Sequence, residues 1–112
     1  MAYQAVTPRR LAQAAVTVDY LAIFTGPTNS RTYVKDIDIC NTSSSARRIY
    51  ISLVPDQEVV GVNNAIFYNA LIPAYTTVQW TGAQILNAGD TVQAKADAVG
   101  VTVTITGGEA TE

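Results

Sequence analysis

The sequence contains no histidine and a single cysteine, Cys40. The missing histidine removes the commonest general base, the commonest nitrogen metal ligand and the side chain that titrates unaided near neutrality. One cysteine permits neither an intrachain disulfide nor a zinc site built from several thiolates. Charge is scarce as well. Only 14% of residues are charged, and seven basic against nine acidic side chains leave a net −2, where an average globular chain carries about 25% charged residues. No broad positive surface exists for sequence-independent nucleic-acid binding. No apolar run reaches the roughly 18 residues of a membrane-spanning helix, and the first residues lack the apolar stretch of a secretory signal. These absences lead us to expect a protein made in a cytoplasm, with no nucleic-acid, membrane or small-molecule partner and no cofactor.

What is present is material for one β domain. The 112 residues are 48% hydrophobic, enough for one modest core. From Val16 onward Thr, Val, Ile and Tyr dominate, and their branched or aromatic side chains suit a pleated surface. In "VTVTITG", Val101, Val103 and Ile105 alternate with Thr102, Thr104 and Thr106, so one face is apolar and the other carries hydroxyls. "TVQAKADA" turns Val92, Ala94 and Ala96 one way and Gln93, Lys95 and Asp97 the other. "ARRIYISLVP" aligns Ile49, Ile51 and Leu53, and "YVKDIDIC" sets Ile37 and Ile39 inward with Asp36 and Asp38 outward. "TTVQW" places Val78 and Trp80 on one face. "GPTNS", "NTSSS", "PAY" and "VG" punctuate these runs as turns. "DQEVVGVNN" is a loop or a single helical turn. About eight strands result, at the spacing of a sandwich or barrel.

Two segments break the alternation. "MAYQAVTPRRLAQAA" sets residues 1–15 apart as an N-terminal arm, a short helix after Pro8 or an extended tail, before a sandwich over residues 16–112. "VTVDYLAIF" reads as a strand apolar on both faces at its C-terminal half, with Leu21 and Ile23 opposite Tyr20, Ala22 and Phe24. Such a strand needs a cover, either the chain's own arm or another subunit. Arg9 and Arg10 are candidate anchors of the arm on an acidic neighbouring subunit. Together with Leu21 and Ile23 they form the candidate oligomer or capsid interface.

Residues able to carry chemistry lack partners. Asp36 and Asp38 share one strand face, which is a solvated polar surface rather than the six-oxygen cage of a hard cation. Ser43, Ser44 and Ser45 have no histidine to activate them, and Cys40 reads as a small core residue. "TGG" at Thr106–Gly108 precedes no helix and so is no phosphate loop. In "ILNAGDTVQA", Gly89 supplies a positive φ and Asp90 bonds the neighbouring backbone. That pair is a structural turn, with about 1 kcal/mol resting on one local hydrogen bond. No catalytic, cofactor-binding or metal-binding residue emerges, and no enzyme is expected.

The order of the pieces carries a resemblance. "YVKDIDICNTSSSARRIYISLVP" has a strand ending in a Cys-Asn-Thr-Ser turn, then a strand closing on Leu-Val-Pro. "NAIFYNALIPAYTTVQWTGAQILNAGDTVQAKADAVGVTVTITGGE" continues with a Pro-Ala turn, the Ala-Gly-Asp corner and a closing Gly-Gly-Glu. Over Tyr20 to Glu109 this resembles small phage virion structural proteins of the β-sandwich or jelly-roll type. Such proteins serve as capsid decoration or cement subunits, or as neck, collar and tail adaptors. The resemblance implies an all-β fold: one small sandwich, jelly-roll or Ig-like, of about eight strands. It further implies residence on the virion, assembly as a trimer or higher ring, and other virion proteins such as the major capsid protein as partners. Fibre attachment at the neck or tail is the alternative. Carbohydrate or receptor binding, with Tyr68, Tyr75 and Trp80 as stacking platforms, is a further one.

Overall fold

A strand with one apolar face is stable only when that face meets another sheet. A computed structural model, which describes residues 6–111, meets this demand with eight strands and one 3-10 turn. The strands are β1 (Thr7–Ala15), β2 (Leu21–Thr25), β3 (Ser30–Asn41), β4 (Arg47–Val54), β5 (Ala65–Ile72), β6 (Thr77–Leu86), β7 (Thr91–Ala96) and β8 (Val101–Thr111). One sheet has the order β1-β8-β3-β6 and the other β2-β7-β4-β5. Every neighbouring pair is antiparallel. All connections except β4–β5 cross between the sheets. This is the double-sheet order of a jelly roll. An Ig-like sandwich divides its strands differently, so the topology decides between the two forms of sandwich expected from the sequence.

The core is a single layer between the sheets. Val34, Ile37, Ile39, Val103 and Ile105 from one sheet face Ile49, Ile51, Val92, Ala94 and Ala96 from the other, and all are buried. The alternation read from the sequence holds in β3, β7 and β8. Val78 and Trp80 pack together at the margin of the core. The stretch before β5 contains one 3-10 turn, Val62–Asn64.

Two expectations need correcting. The first concerns the arm. From Thr7 to Ala15 the chain is neither helix nor free tail but β1, an edge strand paired with β8 from Thr7↔Glu109 to Ala15↔Thr102. Pro8 is tolerated there because an edge strand leaves one side of its backbone unpaired. Residues 1–5 lie outside the described residues. The second concerns "VTVDYLAIF", of which only residues 21–24 are strand, the start of β2. Val16 to Tyr20 is the link between the sheets, pinned by Val16 N–H to Val101 O (2.8 Å) and by Ala96 N–H to Thr17 O (2.9 Å).

Bulges shape the first sheet. Lys35 is an extra residue in β3 against β8, and faces both Gly82 and Ala83 of β6. Beside this bulge the Tyr33 carbonyl lies where a Cβ on Gly107 would stand. The "TGG" segment is therefore strand, and glycine at 107 is what lets β3 and β8 approach.

Thr32, on the inner side of β3, is fully buried, and its hydroxyl has no hydrogen-bond partner. A buried unpaired hydroxyl is a net penalty that a methyl group of similar shape removes. Thr32→Val is expected to stabilise the domain by about 1 kcal/mol, measured as a higher urea midpoint with an unchanged m-value.

Candidate functional site

The three loops at one end of the sandwich meet at Asp90. Its Oδ2 accepts the Asn87 N–H (2.9 Å), which closes the β6–β7 corner. Its Oδ1 accepts the Asp56 N–H (2.8 Å) from the β4–β5 loop. Its backbone carbonyl accepts the Gly26 N–H (2.8 Å), and Gly26 O accepts the Gly89 N–H (3.0 Å), which joins the β2–β3 loop. Gly89 has φ +87°, and a Cβ there would run into the Asp56 carboxyl. The corner read from the sequence is present, and it clamps three loops rather than one turn.

The opposite end has a clamp that the sequence reading passed over. Asn41 ends β3, fully buried. Its Nδ2 lies within donating distance of Ser45 O (2.9 Å), Ile72 O (3.0 Å) and Pro73 O (3.1 Å). Its Oδ1 accepts the Ser43 N–H (3.0 Å) and the Ser43 hydroxyl (2.7 Å). One amide thus holds the β3–β4 turn against the β5–β6 loop. The β7–β8 loop joins through Thr42 N–H to Gly100 O (2.8 Å) and Arg47 Nε to Val99 O (2.9 Å). Ser43 is occupied within the turn, consistent with a structural role.

The candidate interface residues lie on the neighbouring edge strands β1 and β2, but they are not equally exposed. Arg9 pairs with Glu109 of its own chain (3.4 Å) across the β1–β8 ladder, so an acidic group of this chain already stands beside it. Such an exposed pair contributes little to stability. Arg10 is exposed opposite Thr106. Leu21 is exposed on the β2 edge, whereas Ile23 and Phe24 pack against the core. Arg47 and Arg48 belong to the second sheet, away from the Asp36–Asp38 pair, and Arg48 Nη1 donates to Asn69 O (3.3 Å).

Asp36 and Asp38 point outward from β3, as expected, but they interact. Asp36 Oδ2 accepts from Gln79 Nε2 (3.0 Å). Burial, then the Asp36 charge and a side-chain hydrogen bond with Asp36, raise Asp38 above the ordinary carboxylate range. Ionised Asp38 is therefore less favourable in the fold than in the unfolded chain.

A row of rings crosses the outer face of the second sheet. Lys95 Nζ lies 4.9 Å from the Tyr20 ring centroid and 4.8 Å from that of Tyr50. Tyr68 meets Tyr50 edge to face at 5.3 Å. A β5 bulge creates this contact: Tyr68 and Asn69 together oppose Tyr50, with Asn69 at φ 55°. The Tyr50 hydroxyl donates to Asn69 Oδ1 (3.0 Å). Tyr75 instead sits in the β5–β6 loop and Trp80 at the margin of the core. The three aromatics expected to stack on a sugar thus lie on three different surfaces.

Among the described residues no three Cys, Asp or Glu side chains come together, and no cavity opens. No helix of the described residues is long and apolar enough to cross a membrane. No protein-family model and no curated protein sequence matches the chain. Among solved structures, one of infectious bursal disease virus, Gx strain, is similar at a TM-score of 0.42 and 9% identity, over 95% of this chain. The chain spans 30% of that one's length.

Three outcomes follow from this geometry. Asp90→Ala removes a charged acceptor from two N–H groups and is expected to cost about 2–3 kcal/mol, with Asp90→Asn losing roughly half of that. Asn41→Ala leaves buried carbonyls without a donor and is expected to cost about 3 kcal/mol. Denaturant unfolding measures both. For Asp38 the sign is set by its raised folded-state pKa. Stability is lower above that pKa and recovers as pH falls through it. Asp38→Asn should raise stability at neutral pH and flatten that recovery, read from urea midpoints across pH 4 to 8.

Proposed function

We propose that the chain is a non-enzymatic structural subunit of a bacteriophage particle, a decoration or cement protein that sits on the outer capsid surface as a homo-oligomer. The observation that carries this reading is the surface. Ten large apolar side chains are exposed among the described residues, on a chain with little charge to solvate it. So many exposed apolar side chains on so weakly charged a domain favour contact with other macromolecules. The polar groups that chemistry would draw on are engaged elsewhere: Asp90 and Asn41 hold loops, and Ser43 serves a turn. The sequence resemblance to small phage virion proteins points the same way. Jelly rolls also build capsid and lectin domains, an analogy of fold and not of site.

The partner in this reading is the major capsid protein, and a trimer or higher ring repeats a small contact by symmetry. Purified protein added to capsids stripped of it should co-sediment at a fixed copy number and raise the temperature at which the capsids open. Cryo-electron microscopy should place copies over the whole shell. Copies at a single vertex would assign the protein to the neck or tail instead. Absence from particles would end the virion reading.

A further inference from the structure

Among the described residues, Asn29, Gln57, Asn69 and Tyr75 hold a positive φ without being glycine. Asparagine visits this region readily, because its short polar side chain bonds locally. A bulky residue is a genuine outlier there, and Tyr75, at φ 55°, is the one aromatic residue of the set. Its neighbours hold it in place. Tyr75 N–H donates to Ser43 O (3.2 Å), and Asn41 N–H donates to Thr76 O (2.9 Å). Thr76 Oγ1 donates to Ala74 O (3.0 Å), and Asn41 Nδ2 lies within donating distance of Pro73 O (3.1 Å). Every residue of the β5–β6 loop is thus tied down, the condition under which a strained conformation persists.

The fold makes little use of the ring displayed this way. The Tyr75 side chain is 74% exposed, and among the described residues it makes no hydrogen bond and no ring contact. Glycine or asparagine would close the same loop with less strain. The sheet orders β8-β3-β6 and β7-β4-β5 set the β3–β4 turn between the β5–β6 and β7–β8 loops at this end. Val99 stands on the β7–β8 loop, 70% exposed, and Arg47 Nε holds its carbonyl (2.9 Å). The three loop tips, residues 42–46, 73–76 and 98–100, carry no charge. The loops of the opposite end carry Asp56, Glu58 and Asp90.

We infer that Tyr75 is the anchor by which this end of the sandwich seats on the capsid shell. Its ring enters an uncharged slot of the shell protein that closes on a hydrogen-bond acceptor for the phenol hydroxyl, and Val99 adds apolar contact from the neighbouring loop. Strained residues held in place by their surroundings cluster at functional positions. A tyrosine joins a large apolar body to one polar tip, and such side chains dominate the energetics of contacts. A projecting ring needs a recess. Among the described residues this chain opens none, so the receiver is a different protein and not a second copy. Size sets the demand on the anchor. The 12 residues of β3 extend about 40 Å, so the 49 Å axis follows the strands and the end measures 27 by 18 Å. That is roughly 500 Å², against the ~800 Å² per partner of a standard interface. A contact so small depends on one or two well-seated residues, repeated over many copies.

This contact rests on the virion reading for its partner, and the two fail in different ways. Capsids stripped of the protein are titrated with the full chain and its variants, and bound protein is read by co-sedimentation. Tyr75→Asn keeps a residue suited to the positive φ and removes the ring. Its urea midpoint should equal or exceed that of the wild type, while its capsid affinity falls at least about tenfold. Tyr75→Phe keeps the ring and should lose only about threefold to tenfold, for the hydroxyl. Tyr68→Ala removes an exposed ring from the outer sheet face and should change affinity less than about twofold. Tyr75→Asn binding like the wild type overturns the inference and leaves the virion reading standing. A lowered urea midpoint for Tyr75→Asn also overturns it, by giving the ring a role in the fold. Lost self-association with capsid binding intact, read by analytical ultracentrifugation, overturns it in favour of a second copy. A wild type that leaves stripped capsids bare ends the virion reading, and this contact with it.

Discussion

The β3–β8 ladder is the constraint on which the rest depends. It runs from Ser30↔Thr111 to Asn41↔Val101 and pairs residues from early and late in the chain along the full length of the molecule. Its inner residues supply half of the core layer. Its outer neighbours, β1 and β6, exist as strands only because β8 and β3 offer them free edges. Loop-closure entropy must be met before such distant pairing is rewarded, so the fold is held by non-local contacts and its ends need separate fastening. Each end has a fastening of its own: a carboxylate taking two backbone N–H groups at one, an amide reaching three carbonyls at the other.

That division of labour bears on function. Asp90 sits in a Gly-Asp corner, and Asn41 and Ser43 in a Ser-rich turn. In another setting either motif would draw attention as chemistry. Here the hydrogen-bonding capacity of each is directed at backbone, which favours structure over catalysis for these residues. The Asp36–Asp38 pair differs. It lies on a sheet face where burial, and then the neighbouring Asp36 charge, make ionised Asp38 a burden on the fold rather than a support.

The strands were legible because a half-buried strand writes its burial into a period of two. Val101, Val103 and Ile105 needed no further context. β1 was not legible. "TPRRLAQAA" has only Thr7 as a β-branched residue, and its extended form is imposed by the β8 edge beside it. Local propensity is a weak guide where a free sheet edge decides the conformation. The corner at Gly89–Asp90 was legible as a turn. Its reach to Asp56 and Gly26 was not, because those partners are distant in sequence. The role of Asn41 was hidden for the same reason, since Ile72 and Pro73 reach it only through the crossing of β5 into β6.

The topology joins these levels. The jelly-roll order places β5 and β6 last in their sheets and joins them with a tight loop. Asn41 then fixes the position of that loop, so the amide at the end of β3 also sets how the two edge strands meet. Loosening this clamp should disturb the β5–β6 end before the core, because the loop depends on Asn41 while most of the central β3–β8 ladder does not. A buried polar residue at a strand end thus governs a remote loop through geometry alone.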